Sequence, residues 1–182
     1  MSREEAEETL RLWYADRPEV KAWQEAQLAE AREVGYVRTL LGRRRQLEDV
    51  QRSSSSGPGS SSARFFRAAR EHAERAAINT PVQGGAADVV MAAMIRLWED
   101  QRTQGGRLHR LGYRMLLQVH DEIVLEGPEA HAEAAAGVVA GIMENPFGAY
   151  DEAEGREVER FPLRVKLRVV AGHARTWHDA KP

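Results

Sequence analysis

The 182-residue chain contains no cysteine, which excludes disulfides, thiolate zinc sites, iron–sulfur clusters and cysteine nucleophiles. It also lacks a long hydrophobic run. The mean hydropathy is −0.55, and no segment approaches the roughly 20 apolar residues that a membrane-spanning helix needs. The first eight residues are acidic, so we expect neither a secretory signal nor an arginine-rich transit peptide there. These absences predict a soluble, intracellular chain.

The charge of the chain is unevenly distributed, although its formal net charge is only −2. Residues 38–75 contain nine arginines and four acids, a net charge of +5. Residues 120–160 contain eleven acids and two arginines, a net charge of −9. A basic block can contact a phosphate backbone, whereas an acidic block can bind cations or remain solvated. Charge alone leaves both interpretations open.

Hydrophobic periodicity predicts an α+β fold, with an antiparallel sheet that carries helices on one face and a helical segment before it. Gly35 is placed to end the second helix, and Pro18 to begin it. The predicted helices cover about residues 3–15, 17–34, 63–77, 81–102 and 128–143, and the predicted strands cover about residues 36–41, a return strand ending at Leu47, 113–119, 123–125 and 163–170.

Two segments interrupt this pattern. Residues 53–62 are a low-complexity run of Ser, Gly and Pro, which predicts a flexible surface loop or insertion. Asn79 is expected to end one helix, because Thr80 and Pro81 supply an N-cap and a first-turn proline for the next. The following pair, residues 84–85, is Gly-Gly, which is a poor helix former and suggests close approach of another group.

The sharpest candidate for chemistry is the polar tip of the predicted hairpin, His120, Asp121 and Glu122. Two carboxylates at a tight turn offer the hard oxygen ligands that divalent cations prefer. A two-metal phosphoryl-transfer site needs such carboxylates to stabilise the attacking and leaving oxygens. The alternative is an ordinary hairpin turn, in which Asp is favoured for its backbone tolerance.

A second candidate site consists of Arg75, Asn79 and Gln83, which share a face if the helix is nearly continuous. Guanidinium and amide groups along a surface suit phosphate, sugar and minor-groove acceptors. The alternative is a solvated polar stripe opposite the apolar one. The basic turn at residues 43–45, with Arg43 and Arg44, can likewise clamp phosphates or simply be exposed.

Five segments in one order resemble family A DNA polymerases, the bacterial DNA polymerase I type. Residues 74–88 (ERAAINTPVQGGAAD) resemble the segment that follows the fingers. Residues 116–126 (LLQVHDEIVLE) resemble the third conserved palm motif, and residues 35–45 (GYVRTLLGRRR) resemble the fingers hairpin. Residues 17–23 (RPEVKAW) are similar to a fingers helix, and residues 172–177 to the end of the last palm strand.

The resemblance implies a partial fingers segment over residues 1–78, with the Ser-rich insert at 53–62, and the C-terminal part of a palm-type sheet domain over residues 79–182. It implies that Asp121 and Glu122 serve a two-Mg²⁺ site and that His120 lies near the primer end. It further implies that Arg75, Asn79 and Gln83 hold primer–template DNA. The implied reaction is attack of a primer 3′-hydroxyl on a deoxynucleoside triphosphate, in the cytoplasm or nucleoid of a bacterium or in an organelle or nucleus of a eukaryote.

Two parts of the family pattern have no counterpart in these 182 residues: the first palm motif, Asp-x-Ser-x-x-Glu, and the fingers helix that binds the triphosphate. In addition, Gly85 stands where the family usually has Thr. Because one carboxylate of the two-metal site is missing, we expect the isolated chain to be inactive. A second chain carrying the missing motifs is one way to complete the site. The alternatives are a non-catalytic DNA-binding module and a vestigial polymerase fragment.

Overall fold

The computed structural model describes residues 2–51, 61–151, 156–158 and 163–180. These residues divide into two compact units, 1–86 and 87–182. Helices combine with antiparallel strands in both, so the predicted α+β class is confirmed. The described strands form three separate two-stranded ladders. Among the described residues, none of the helices is both long and apolar enough to cross a bilayer.

Helices dominate the first unit. A capping box begins the first helix, because the Ser2 hydroxyl accepts from the Glu5 N–H and the Glu5 carboxylate accepts from the Ser2 N–H. Pro18 opens the second helix and Gly35, at φ 76°, ends it, as predicted. The elements are α1 (Arg3–Asp16), α2 (Pro18–Val34), β1 (Tyr36–Arg38), β2 (Arg44–Gln46), α3 (Glu48–Gln51) and the first part of α4 (Ser61–Arg102).

The β1–β2 hairpin presents one side to the core of the first unit. In its register Tyr36 lies opposite Gln46, Val37 opposite Arg45 and Arg38 opposite Arg44. Val37 is buried, whereas its neighbours in β1 are not, as expected when successive side chains alternate between faces. The core that receives it is made of small and branched apolar side chains: Ala31, Val37, Leu47, Val50, Ala73, Ala76 and Ala77.

The expected break at Asn79 is wrong, because α4 runs without interruption from Ser61 to Arg102 with Pro81 inside it. An interior proline costs about 3 kcal/mol, since it removes a helical hydrogen bond. Tertiary contacts offset that cost. Thr80 is buried, and its hydroxyl accepts a hydrogen bond from Arg45 of β2 (3.1 Å). The Thr80 side chain, which the sequence pattern indicated as an N-cap, therefore joins β2 to α4 instead.

The second unit is built on the C-terminal part of α4. Its core comprises Leu97, Leu108, Ala135 and Ile142, with partly buried Ile123 and Leu125 packed against it. The predicted hairpin and the predicted helix after it are both present. The remaining elements are α5 (Arg107–Leu111), β3 (Arg114–Val119), β4 (Glu122–Glu126), a 3₁₀ turn (Glu129–His131), α6 (Ala132–Glu144), β5 (Ala149–Asp151), β6 (Arg156–Val158) and α7 (Trp177–Ala180).

The predicted strand over residues 163–170 is wrong: these residues are described, but they form no regular element. Alternating apolar and basic side chains suit a strand, yet a strand also needs a partner for its backbone hydrogen bonds. No described segment pairs with this one, and Val165 and Val170 are each about three-quarters exposed. The Ser-rich insert at 53–62 lies outside the described residues, except for its last two positions, which begin α4.

The glycine pair at 84–85 provides a matched test of the packing between the hairpin and α4. A β-carbon on Gly84 would lie 2.4 Å from the Thr39 methyl carbon, which is too close, whereas one on Gly85 would lie 3.5 Å from Leu40 Cβ, an ordinary contact. We therefore expect Gly84→Ala to lower the free energy of unfolding. Gly85→Ala should raise it by about 0.5–1 kcal/mol, because alanine is the better helix former.

Urea unfolding of the two variants checks this expectation. Stabilisation by both substitutions would show that helix propensity alone decides these positions, and that the predicted close approach at Gly84 has no energetic consequence.

Candidate nucleic-acid interface

Arg75, Asn79 and Gln83 lie on one exposed face of α4. Their spacing of four residues turns the side chains by only about 40° per step in an α-helix, so the unbroken course of α4 confirms that they share a face. Among the described residues, none of the three has a hydrogen-bond or ion-pair partner. We call these three residues the α4 row. The α4 row offers one guanidinium and two amides to solvent, and these groups match phosphate, sugar and base-edge acceptors.

The opposite side of α4 is what holds this face outward. Ala73, Ala76 and Ala77 are buried in the core of the first unit, so the helix cannot rotate about its axis without exposing them. Next to Arg75, the Glu74 carboxylate binds Arg32 of α2 at 2.7 Å and Arg70 of α4 at 3.2 Å. The hydrogen bond from Arg32, followed by that from Arg70, lowers the pKa of Glu74 below its usual value.

The three consecutive arginines of the hairpin make different contacts. Arg43 donates to the Gly84 carbonyl of α4 at 3.2 Å, and Arg45 donates to Thr80 at 3.1 Å. Arg44 instead lies over the ring of Tyr36, 4.8 Å from its centroid. Arg43 and Arg44, both predicted to contact DNA, are exposed on the hairpin. Their role in DNA binding remains a prediction, and the structure adds that Arg43 also bridges the hairpin to α4.

The tip of the β3–β4 hairpin presents His120, Asp121 and Glu122, all exposed. Val119 pairs with Glu122, so His120 and Asp121 form the two-residue turn. His120 has φ 55°, a left-handed conformation that is uncommon for a residue with a side chain. The Gln118 side-chain amide donates to the His120 carbonyl and braces the turn. The root of the hairpin is tied to α4, because Gln101 accepts from the Met115 N–H at 2.6 Å.

The donor set at this tip fits part of a Mg²⁺ site. Mg²⁺ is commonly bound by one or two carboxylates, with waters and substrate phosphates completing its six ligands. Asp121 of the turn and Glu122, the first residue of β4, supply two adjacent and exposed carboxylates. In the part of the chain that the structure describes, no group of three or more His, Cys, Asp or Glu side chains is placed to hold a metal ion. The tip is therefore at most a portion of a two-metal site.

The structure keeps the two candidate groups in different units: the α4 row and the hairpin arginines in the first, and the carboxylate tip in the second. Sequence reasoning missed several residues that shape them, including the Gln118 brace and the Arg32–Glu74 bridge between α2 and α4. It also missed Tyr36 and Arg38. The signal for that pair was the alternation of the hairpin, which places both on the face opposite Val37.

Comparison with known proteins agrees with these motifs. The sequence model of DNA polymerase family A matches residues 1–179, which is nearly the whole chain. The chain belongs to DNA polymerase family A. The polymerase resemblance of the hairpin tip and of the α4 segment is thereby confirmed for the family, while the roles of the individual side chains stay predictions.

Individual relatives of this family A chain come from plants and bacteria. The chain is 44% identical to "DNA polymerase I B, chloroplastic/mitochondrial" of Arabidopsis thaliana over 181 residues, which is 100% of this chain and 15% of that protein. It is 41% identical to "DNA polymerase I, thermostable" of Thermus aquaticus over 178 residues, 98% of this chain and 17% of that protein. The chain thus spans about one-sixth of these curated relatives.

A solved structure gives the same result for the fold. The chain is similar to the POL domain of Pol1 from M. smegmatis, determined in complex with DNA primer-template and dNTP. The TM-score is 0.76 and the sequence identity is 32%, over 99% of this chain and 26% of that one.

The lowered pKa of Glu74, next to the α4 row, predicts that the stability of the first unit depends on pH. Its pKa is lower in the folded chain than in the unfolded chain, so the stability it contributes is present above the unfolded pKa, about 4.3, and is lost as the pH falls through the lower folded pKa. Glu74→Gln should therefore lower the free energy of unfolding by about 1 kcal/mol at neutral pH, and the difference should disappear in acid.

Urea unfolding across about pH 7 to pH 3 measures this difference. The matched control is Glu8→Gln on α1, which removes a carboxylate that also binds an arginine, Arg11, but is itself exposed. An equal loss of stability in both variants would mean that Glu74 has no special role in joining α2 to α4.

Proposed function

We propose that this chain is the C-terminal fingers and palm portion of a DNA-directed DNA polymerase, which binds primer–template DNA and contributes to template-directed nucleotidyl transfer. The observation that carries the proposal is the family match over residues 1–179. It is supported by the similarity to a polymerase domain whose structure contains primer-template DNA and dNTP. The chain spans only about one-sixth of its curated relatives. The polymerase activity named for those proteins is therefore proposed, and not shown, for this chain.

In this proposal the row of Arg75, Asn79 and Gln83 holds the primer–template duplex. The guanidinium of Arg75 binds a phosphate or base-edge acceptor, and the two amides bind sugar or minor-groove acceptors. The support is physical: the three side chains share an exposed face and have no partner among the described residues. Arg43 and Arg44 of the β1–β2 hairpin add positive charge for the phosphate backbone.

The hairpin tip in turn serves the reacting end of the primer. Asp121 and Glu122 would hold Mg²⁺, which when bound lowers the charge barrier at the attacking and leaving oxygens. His120 lies next to them at the turn and is proposed to contact the primer terminus. His120 is in the left-handed conformation and its carbonyl is bound by the Gln118 side chain, so the backbone that leads into Asp121 is braced. The remaining work of the protein is positioning.

The missing first palm motif fits this account without a second chain. In the Arabidopsis and Thermus relatives the matched segment is 15% and 17% of one polypeptide, and no second chain is needed to account for that match. We propose that the 182 residues alone do not extend a primer, because two carboxylates at one hairpin tip do not fix two cations.

We also propose that the protein acts in a bacterial cytoplasm or in an organelle, by analogy with the names of the relatives.

A DNA-binding module without catalysis is the second candidate. One observation favours it: the α4 row lies complete within the first unit, whereas the carboxylate tip supplies only part of a metal site. The two candidates differ in what Asp121 does, because a binding module has no use for that carboxylate.

Primer–template binding tests the α4 row. We expect Arg75→Gln to weaken binding about tenfold, because a charge-assisted hydrogen bond to the DNA is lost. It should also reduce the slope of log affinity against log salt by about one. Asn79→Ala and Gln83→Ala should each have a smaller effect, and Asp121→Asn should leave binding unchanged. Fluorescence anisotropy with a labelled primer–template measures each affinity.

The control for lost charge is Arg11→Gln, which removes an exposed arginine of α1 that is bound to Glu8. If Arg11→Gln weakened binding as much as Arg75→Gln, net charge rather than the α4 row would account for the affinity, and the proposed grip would be wrong.

Catalysis is best tested in a chimera in which this chain replaces the matching segment of the Thermus aquaticus polymerase, to which it is 41% identical. We expect Mg²⁺-dependent primer extension by the chimera and none by the isolated chain. Asp121→Asn should slow extension by the chimera more than about 100-fold, since a metal-binding carboxylate contributes several kcal/mol to the transition state.

Glu126→Gln is the matched control, because it removes a carboxylate from the far end of the same hairpin, opposite Arg114. It should leave extension within about threefold of the parent. A folded chimera that binds primer–template but does not extend it would reject the catalytic proposal in favour of the binding module.

A further inference from the structure

The outward face of the β1–β2 hairpin combines an aromatic ring with two cations. Tyr36, Arg38 and Arg44 lie on the face opposite Val37 and Arg45, because side chains alternate along each strand and Arg38 pairs with Arg44. The guanidinium of Arg38 lies over the Tyr36 ring, 5.3 Å from its centroid, and that of Arg44 at 4.8 Å. Arg38 also donates to the Tyr36 hydroxyl at 2.8 Å. We call these three residues the Tyr36 cluster.

The charge of the hairpin is unbalanced within the chain. Residues 36–47 contain four arginines and no acidic residue. Arg43 and Arg45 are used against α4, but Arg38 and Arg44 have no ion-pair partner among the described residues. Like charges directly opposite each other destabilise a strand pair. The Tyr36 ring offsets part of that repulsion, since a guanidinium over an aromatic face is attracted to the ring electrons. The repulsion between Arg38 and Arg44 that remains favours the binding of an anionic partner.

We propose that the Tyr36 cluster binds single-stranded DNA. Proteins bind single strands with cations that follow the backbone and with aromatic or guanidinium planes on which bases stack. Arg38 and Arg44 contact phosphates, and, because both guanidiniums already lie over the Tyr36 ring, a base stacks on a guanidinium plane that the ring supports. Paired bases in a duplex are stacked on each other and do not present their faces, so a surface of this kind distinguishes a single strand from a duplex.

This inference deepens the proposed function and rests on it for the source of the strand, since a polymerase handles template that is not yet paired. The Tyr36 cluster shares no residue with the α4 row, because its residues lie on a hairpin strand face and not on the helix, although Arg44 is also proposed to add charge for the duplex backbone. Experiments can therefore reject single-strand binding by the Tyr36 cluster without rejecting duplex binding by the α4 row, and the reverse.

The test uses the full chain and a labelled oligothymidylate of about 20 nucleotides, with a blunt duplex of the same length as the comparison. Tyr36→Leu should weaken single-strand binding about tenfold, since one stacked base is lost, and should leave the salt dependence unchanged. Tyr36→Phe keeps the ring and should stay within about threefold. Arg38→Gln with Arg44→Gln should lower the slope of log affinity against log salt by about 1.4, because two phosphate contacts on a single strand are removed.

Arg11→Gln is again the charge control and should have little effect, and circular dichroism of each variant checks that the half-buried Tyr36 is not needed for folding. Equal losses of single-strand and duplex affinity in Tyr36→Leu would overturn the proposal, as would a parent chain that binds the duplex but not the oligothymidylate. Loss of duplex binding on Arg75→Gln, with single-strand binding retained, would support both surfaces separately.

Discussion

The contact between the β1–β2 hairpin and α4 is the constraint on which the first unit depends. Arg45 donates to Thr80, Arg43 donates to the Gly84 carbonyl, and the Thr39 methyl occupies the space that a side chain at Gly84 would need. Each hydrogen bond contributes about 1 kcal/mol, and burial of Val37 and Leu47 adds about 1.5–3 kcal/mol each. The two hydrogen bonds reach α4 on either side of Pro81, at Thr80 and Gly84, and so help to hold the helix continuous through the proline.

The arginines of this hairpin fall into two groups, according to whether they contact α4 or lie over the Tyr36 ring. Those on the core side hold the hairpin on α4, whereas Arg38 and Arg44 surround Tyr36 on the outer side. The carboxylate tip of the second unit depends on a comparable arrangement: Gln101 anchors the root of its hairpin, and Gln118 braces the turn at His120. In both hairpins, short strands and side chain to backbone hydrogen bonds place a few charged groups at fixed positions on the surface.

Much of the local structure could be predicted from the sequence, because it is set by local chemistry. Pro18 and Gly35 bound α2 as expected, and the β3–β4 hairpin has the predicted polar turn. The break at Asn79 could not be recognised as wrong from the pattern, since the hydroxyl of Thr80 is used by an arginine 35 residues earlier. The strand expected at 163–170 has no ladder partner in the described chain. The candidate residues themselves were found through long motifs, whereas the Tyr36 cluster needed the register of the hairpin.

The absence of cysteine permits a direct test of the central claim, that the exposed face of α4 holds primer–template DNA. Asn79→Cys introduces a single thiol into that face, and a primer–template with a thiol tethered in the minor groove near the primer terminus can form a disulfide with it. The account predicts rapid cross-linking by Asn79→Cys and little by Glu25→Cys, which is also exposed but lies on α2. Equal cross-linking at both positions would contradict the assignment of α4 as the primer–template surface.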